Sequence, residues 1–308
     1  MRPKPPPSAT PTAEVGWTSL VRRALAEDRA HRDRTTRALL PEPVPATARV
    51  IAQDEGVLSG STVAAAVARA LGLAVTPLAQ DGERIRRGQA VLRIDGDARA
   101  ILAAERTLLN LLMHLSGVAS ATALAVRRAS GPGHRLAIYA TRKTLPGLRD
   151  LEKAAVVHGG GHPHRRDLSD GLLLKNNHLA LVPLADAVAR LKAGAGRPRS
   201  LQVEVRDARS ALAAVRAGAD ALLIDNAPPA QVRGILRDLE AHGRRKGVWV
   251  EVSGGITPES VGRYRTSGAD AASLGALTHS ARALPFHLRL RPVRRRRVRP
   301  DALRVARP

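Results

Sequence analysis

The sequence predicts an α/β chain whose C-terminal half closes parallel strands into a barrel, and three observations carry that expectation. Beyond residue 133, short apolar runs at 136–139, 172–174, 201–205, 221–224, 248–252 and 271–274 recur, and Ala-rich helical segments at 184–192, 208–217 and 229–242 separate the later ones. Such alternation implies parallel strands joined by crossovers, in a barrel or a doubly wound sheet. Nearly every run ends in a chemically capable residue: Arg142 and Lys143, Lys175, Glu204, Asp225, then Glu251. That favours the barrel, which gathers residues from many strands on one rim, whereas a doubly wound sheet concentrates its site at one switch point. Before residue 98 the texture differs: D-G, R-G and D-G at 81–82, 87–88 and 95–96 mark hairpin-like turns of an antiparallel sheet.

In chain order, residues 1–16 are Pro-rich, lack a hydrophobic signal core and are expected to be disordered. A charged helix over 18–37 ends before Pro41, Pro43 and Pro45, and a strand at 48–53 leads into a helix over 61–71 capped by Ser61 or Thr62. Residues 98–115 form a long apolar helix that stops at Ser116-Gly117, with Arg106, Asn110 and His114 spaced every four residues as one polar stripe. At the other end, R-L-R-P-V-R-R-R-R-V-R-P is an Arg run broken by prolines, so 291–308 is expected to be a disordered basic tail, able at most to bind polyanions nonspecifically.

Composition sets bounds. With 308 residues, 44% of them hydrophobic, the chain can bury one large or two moderate cores. Charges interrupt every long apolar run, so no membrane span is expected and the cytoplasm is the default location. The absence of cysteine excludes disulfides, a thiolate nucleophile and cysteine-bound zinc. A net charge of +23 invites a nucleic-acid partner, but two Trp, two Tyr and one Phe leave few surfaces for base stacking.

Residues 140–178 carry the densest chemistry. Of 50 basic residues only six are lysines, and Lys143, Lys153 and Lys175 all fall in this segment. A lysine is a compact point charge that can give up its proton when desolvated, which guanidinium cannot do. Lys143 and Lys175 are therefore the leading candidates for an anionic substrate, and His164-Arg165 follows a triple glycine as a candidate carboxylate ligand. Glu204 and Asp225, on successive strand ends, suit Mg²⁺ shared with substrate phosphates. S-G-G-I-T-P-E-S at 253–260, with Thr257 as helix cap and Pro258 at the first helical position, and L-G-A-L-T at 274–278 look like phosphate cradles.

Together these motifs are recognisable. T-R-K-T-x-P-G-L-R, L-x-K-x-A-V, G-G-G-x-x-H-R-x-x-L-S-D, K-x-N-H, L-x-D-N, E-x-S-G-G-I and G-A-L-T-H-S, with E-R-T-x-L-N-x-L-x-H-L-S-G at 105–117, resemble the quinolinate phosphoribosyltransferase family of type II phosphoribosyltransferases over about 18–288. The resemblance implies an N-terminal α/β sandwich at 17–117, completed by about 277–290, and an incomplete TIM-like α/β barrel at 118–276. It implies a decarboxylating pentosyltransferase of NAD biosynthesis that takes quinolinate and phosphoribosyl pyrophosphate with Mg²⁺. It also implies a homodimer with shared sites, in which Arg106 crosses to the partner; higher oligomers stay open. Arg142, His164, Arg165 and Lys175 would then bind quinolinate, with Lys143 near the reacting centre. Glu204 and Asp225 would serve the metal-bound diphosphate, Asn176 would belong to the substrate site, and Ser253, Gly254, Gly255 and Gly275 would hold the 5′-phosphate. The chain departs from the commoner family pattern at Ala140, Pro163, Gln202 and, where an acid is usual, Asn176. A paralogue for another aromatic carboxylate, or a catalytically weakened polyanion binder, remains the alternative.

Overall fold

The protein is described here by a computed structural model, in which residues 17–131, 134–194 and 200–293 are defined. The disordered extension expected at 1–16 and the tail from 294 onward lie outside the described residues. Arg291 and Pro292, assigned to that tail from sequence, instead end the strand Phe286–Pro292.

The N-terminal helix is broken in two. Trp17–Glu27 stops, Arg29 turns left-handed at φ 48°, and Arg34–Leu39 starts afresh with the Asp33 carboxylate accepting the Thr36 N–H at 3.0 Å. A local Asp cap thus overrides the helical periodicity. A four-stranded antiparallel sheet follows, ordered Phe286–Pro292, Pro45–Ala52, Ala90–Asp97, Ala74–Pro77. Gly82 and Gly88 take the left-handed turn conformation expected of them. Asp95-Gly96 is no turn: it lies inside the strand Ala90–Asp97, where a Cβ on Gly96 would come within 2.7 Å of Leu73 Cδ2.

The long helix runs unbroken over Ala98–Ala129, well past Ser116-Gly117. Gly117 marks a crossing, not an end: a Cβ there would sit 2.3 Å from the carbonyl oxygen of Arg282, so only glycine lets residues 282–283 pass over the helix. By length and mean hydropathy of 1.5 this helix could cross a membrane, contrary to the sequence expectation, but half of that window is buried in the protein. Ile101, Leu108, Leu112 and Val118 are fully buried, and the helix packs on strands of both large sheets.

The second sheet is parallel and six-stranded, ordered Ala137–Ala140, Ala271–Leu274, Trp249–Ser253, Ala221–Asp225, Leu201–Val205, Leu172–Leu174. The six apolar runs become these strands within a residue at either end, and Leu201–Val205, Ala221–Asp225 and Ala271–Leu274 are buried on nearly every position. The first and second strands in sequence do not pair, so the barrel is incomplete. At that gap His162 makes a parallel bridge to Tyr139, accepting the Ala140 N–H at 2.9 Å and donating to Ile138 O at 2.8 Å. The helix expected from Thr257 and Pro258 is only a turn followed by the 3₁₀ segment Val261–Tyr264, since Ser260 Oγ accepts the Thr257 N–H at 2.9 Å and closes the chain locally.

Two glycine substitutions should move stability in opposite directions. Gly117→Ala improves helix propensity yet drives a methyl into backbone, so it should lower unfolding free energy by about 1–3 kcal/mol. Gly234, inside the helix Pro229–Ala241 with nothing near its missing Cβ, should gain up to about 1 kcal/mol on change to Ala. Urea denaturation of both variants checks the pair.

Candidate active site

At the C-terminal ends of the parallel strands lies a cavity of about 420 Å³. Arg142, Lys143, His164, Arg165, Lys175, Glu204, Asp225, Ser253, Gly254 and Gly255 all line it. Asn176 joins through its amide, which donates to Glu204 Oε1 at 2.6 Å, and Gly275 abuts Lys143. Arg106 is the exception. It stands on the first third of the long helix, two-thirds exposed and 3.2 Å from Glu105, beside a separate groove of about 650 Å³ that Arg29, Arg32, Arg34 and Arg37 also line.

Lys143 is placed by backbone contacts just past its strand. Beyond Ala137–Ala140, the Lys143 N–H donates to Thr141 Oγ1 at 3.0 Å and the Lys143 carbonyl accepts Thr278 Oγ1 at 2.8 Å. A Cβ on Gly275 would lie 2.9 Å from both Lys143 Cδ and His279 Nε2, so the bare glycine makes room for that lysine. Glu152, fully buried, accepts the Leu145 N–H at 3.1 Å and meets His114 Nε2 at 2.7 Å, tying the Lys143 loop to the long helix. Lys175 Nζ lies 3.7 Å from Glu204 Oε2. Glu204 is thus held on one oxygen by an amide and on the other by an ammonium, whereas an acid at position 176 would set two carboxylates against each other. Asp225 makes no side-chain hydrogen bond or ion pair to a described residue. Gly254 and Gly255 are both left-handed (φ 96° and 60°), and a Cβ on Gly254 would strike Asn226 Oδ1 at 2.3 Å. S-G-G is therefore a paired-glycine turn and not a helix start.

The cavity floor is a buried polar cluster. Glu251, with no exposure, accepts from Gln202 Nε2 at 3.0 Å and from His164 Nε2 at 3.1 Å. Burial alone would drive its carboxyl up, but the His164 ring and hydrogen bonds from His164, Ser273 and Gln202 hold it below its ordinary value. Tyr139 packs edge-on to His164, and burial, with the Glu251 charge, pushes its phenol up to about 12. His164 lines the cavity, with Nδ1 accepting the Arg165 N–H at 2.7 Å and Nε2 3.1 Å from Glu251. The two adjacent arginines divide in role. Arg166 is clamped on Asp150 by two bonds of 2.8 and 2.7 Å, whereas Arg165 lines the cavity with its proton affinity lowered by burial and by the nearby Arg142. Arg142 Nε is buried without a hydrogen-bond partner among the described residues.

Residues that sequence reasoning missed at this site are Lys153, Glu152, Asn226 and His279. The last two sit inside motifs already visible, L-x-D-N and G-A-L-T-H-S, and Lys153 inside L-x-K-x-A-V; Glu152 gave no signal. Among the described residues no group of three or more His, Asp or Glu could cage a metal.

Lys153 is 2% exposed, donating to Pro163 O and, at 3.4 Å, to Thr141 O. Burial, then the charge of Arg149, lowers its pKa from 10.5 to about 8. The unfolded chain therefore holds a proton between those values that the folded chain lacks, and folding gains stability as pH rises through that window. Relative to Lys153→Met, the wild-type protein should gain up to about 3 kcal/mol between pH 8 and 10.5. Denaturant midpoints of both proteins against pH measure this.

Comparison with known proteins agrees with the geometry. The quinolinate phosphoribosyl transferase N-terminal domain matches residues 33–116 and the C-terminal domain of the same name matches 118–289. A probable nicotinate-nucleotide pyrophosphorylase (carboxylating) of Methanothermobacter thermautotrophicus is 38% identical over 273 residues, covering 88% of this chain and 98% of that protein. The nicotinate-nucleotide pyrophosphorylase (carboxylating) of Mycobacterium leprae is 38% identical over 279 residues, covering 88% and 95%. Among solved structures, NadC from Streptococcus pyogenes superposes with a TM-score of 0.84 at 34% identity, over 93% of this chain and all of that one. The nicotinate-nucleotide pyrophosphorylase of Francisella tularensis gives 0.81 at 34%, over 89% and 96%. With both domains matched in order and the cationic cavity on the barrel rim, the chain belongs to the quinolinate phosphoribosyl transferase family.

Proposed function

We propose that this protein transfers the phosphoribosyl group of phosphoribosyl pyrophosphate to quinolinate, giving nicotinate mononucleotide, pyrophosphate and CO₂, for NAD synthesis in the cytoplasm. The observation that carries this reading is the gathering of Arg142, Lys143, Arg165 and Lys175 with Glu204, Asp225 and the Gly254-Gly255 turn around one cavity of about 420 Å³. Two carboxylates, a diphosphate and a phosphomonoester are the ligand groups such a set complements.

In this reading Arg142 and Arg165, which disfavour one another's charge when alone, take the two ring carboxylates, and Lys175 adds a third cation. The 5′-phosphate rests on the Ser253–Gly255 turn beside Gly275. The pyridine nitrogen then attacks ribose C1 as the bond from C1 to the diphosphate oxygen breaks, and that oxygen keeps the electron pair. Lys143, fixed through Thr141 and Thr278, stands near the reacting centre and offsets developing negative charge. The new pyridinium favours loss of the adjacent carboxylate as CO₂: the carbon–carbon bond electrons stay on the ring carbon next to N⁺, which then takes a proton. Catalysis on this view is positioning and charge stabilisation.

Glu204 and Asp225 fit Mg²⁺ held mainly by substrate phosphates and water, since two carboxylates on neighbouring strands are too few for a protein cage. When bound, the ion would neutralise diphosphate charge. Arg106 cannot serve the cavity of its own chain from its groove, which supports a homodimer in which each long helix completes the other subunit's site.

Purified protein with quinolinate, phosphoribosyl pyrophosphate and Mg²⁺ should release CO₂ and nucleotide, and should ignore nicotinate; turnover of nicotinate alone would overturn the assignment. Chelation by EDTA should abolish product and added Mg²⁺ restore it. Lys143→Met and Lys175→Met should each lower kcat/KM by about 100-fold or more while leaving the fold intact. Arg106→Ala and Lys175→Met, each inactive alone, should recover about a quarter of wild-type activity when co-expressed, since half the dimers then carry one intact site.

A further inference from the structure

Most of the net charge of +23 lies outside the cavity, and one share of it stands in register on the antiparallel sheet. The helices Ser61–Ala70 and Ala98–Ala129 pack on the inner side of that sheet, where Ala48, Val50, Leu92 and Ile94 are fully buried. Side chains alternate between the two sides of a strand, and the outer side is basic. Arg49 stands directly opposite Arg289 on one neighbouring strand and Arg93 on the other, and Thr76 pairs with Arg93, so three arginines form a row across the sheet. Beside that row Arg291 is opposite Thr47, which is opposite Asp95. With strands about 4.8 Å apart the row from Arg289 to Arg93 spans about 10 Å, and like charges set directly opposite repel. The two acids that these strands turn to the same side are already taken: Asp95 lies 2.9 Å from Arg93 and Asp97 2.8 Å from Arg99. Arg49, Arg289 and Arg291 are exposed and make no ion pair with a described residue.

We propose that this arginine face, with the basic segment that follows it in the sequence, binds duplex DNA through its phosphates, without regard to base sequence. Guanidinium meets phosphate oxygens with a planar fork, and a duplex carries one negative charge about every 1.7 Å of its axis, so one duplex can serve several arginines at once. The four strands contain no Trp or Tyr and only the buried Phe286, so unpaired bases find nothing to stack on. The exposed arginine row offers little apolar surface to enter a lipid layer, which leaves a stiff array of phosphates as the partner it fits. The positive charge also continues along the chain: the strand that carries Arg289 and Arg291 is followed in the sequence by R-R-R-R at 294–297 and another arginine at 299. The long helix whose Arg106 is assigned above to the other subunit's site lies behind the inner side, so the proposed homodimer leaves the arginine face open.

The test uses the full chain and a fluorescein-labelled DNA duplex of about 30 base pairs, followed by fluorescence anisotropy between about 50 and 200 mM NaCl. Duplexes of unrelated sequence should bind alike, with affinity falling steeply as salt rises. The triple variant Arg49→Gln, Arg289→Gln, Arg291→Gln should bind more than about tenfold more weakly at the lower salt. Its slope of log affinity against log salt should be shallower by about 2 to 3, since about 0.9 is lost with each phosphate contact. A chain ended after Val293 should keep part of the affinity, which the triple substitution then removes. The triple variant should melt no lower than wild type, because the substitutions relieve repulsion. Affinity and salt slope unmoved by the triple substitution would assign binding to the terminal segment alone and sink the proposal. So would tighter binding to the single strand than to the duplex, no binding at the lower salt, or capture only by vesicles containing phosphatidylserine. Should the triple variant fail to fold, Arg49→Gln alone decides, through a slope shallower by about 1.

Discussion

Like charges crowded at one place are the constraint around which this molecule is arranged. Arg142, Lys143, Arg165 and Lys175 share a cavity of about 420 Å³, and at partly desolvated distances their mutual repulsion is several times what it would be in water. The fold answers with carboxylates both behind the cations and beside them. Glu152 and Glu251 are fully buried, Glu152 bonded to backbone and to His114 and Glu251 to Gln202 and His164, so they brace the loops from within. Glu204, beside Lys175, and Asp225 line the cavity as acids, with the buried Glu251 at its floor. The Arg and Lys side chains that line it outnumber the acids, so the site keeps a net positive field.

The long helix Ala98–Ala129 turns this local arrangement into a property of the whole chain. It packs on strands of the antiparallel sheet and on the first barrel strand. Through His114 and Glu152 it grips the Lys143 loop, and at Gly117 the returning segment crosses it in van der Waals contact, with Leu284 N–H bonded to Met113 O at 3.0 Å. The sheet carrying Arg106 as its helix extension and the barrel carrying the cavity are therefore joined by one continuous rod.

How far the sequence revealed this depended on whether the physical cause was local. Strand runs such as 201–205 and 221–224 were plain, because a parallel strand buried on both faces is a short apolar string with turn residues around it. The rim residues followed from their places at strand ends, so ten of the thirteen candidates line one cavity and Asn176 and Gly275 adjoin it. What escaped was set by partners far away in sequence. Gly117 looked like a helix stop because its crossing partner, Arg282, is 165 positions on, and Gly96 looked like a turn because Leu73 was invisible behind it. That the His164 ring meets Glu251, 87 residues later, could not be seen either. The break at Arg29 was local, but a single left-handed residue and an Asp cap are weaker signals than the amphipathic pattern they interrupt.

The pairing of Phe286–Pro292 with Pro45–Ala52 bears on how the chain emerges from a ribosome. Pro45–Ala52 is an interior strand of its sheet, and one of its two neighbours is the last strand of the described chain. Until that strand is made, more than two hundred residues later, Pro45–Ala52 presents an open row of N–H and C=O groups, the kind of edge that invites pairing with other chains. The antiparallel sheet therefore cannot finish ahead of the barrel, although it comes first in the sequence. Completion of the whole molecule becomes a single late event of high contact order, and nascent chains of this protein should lean on chaperones in a way that a simple bead-on-a-string arrangement of two domains would not.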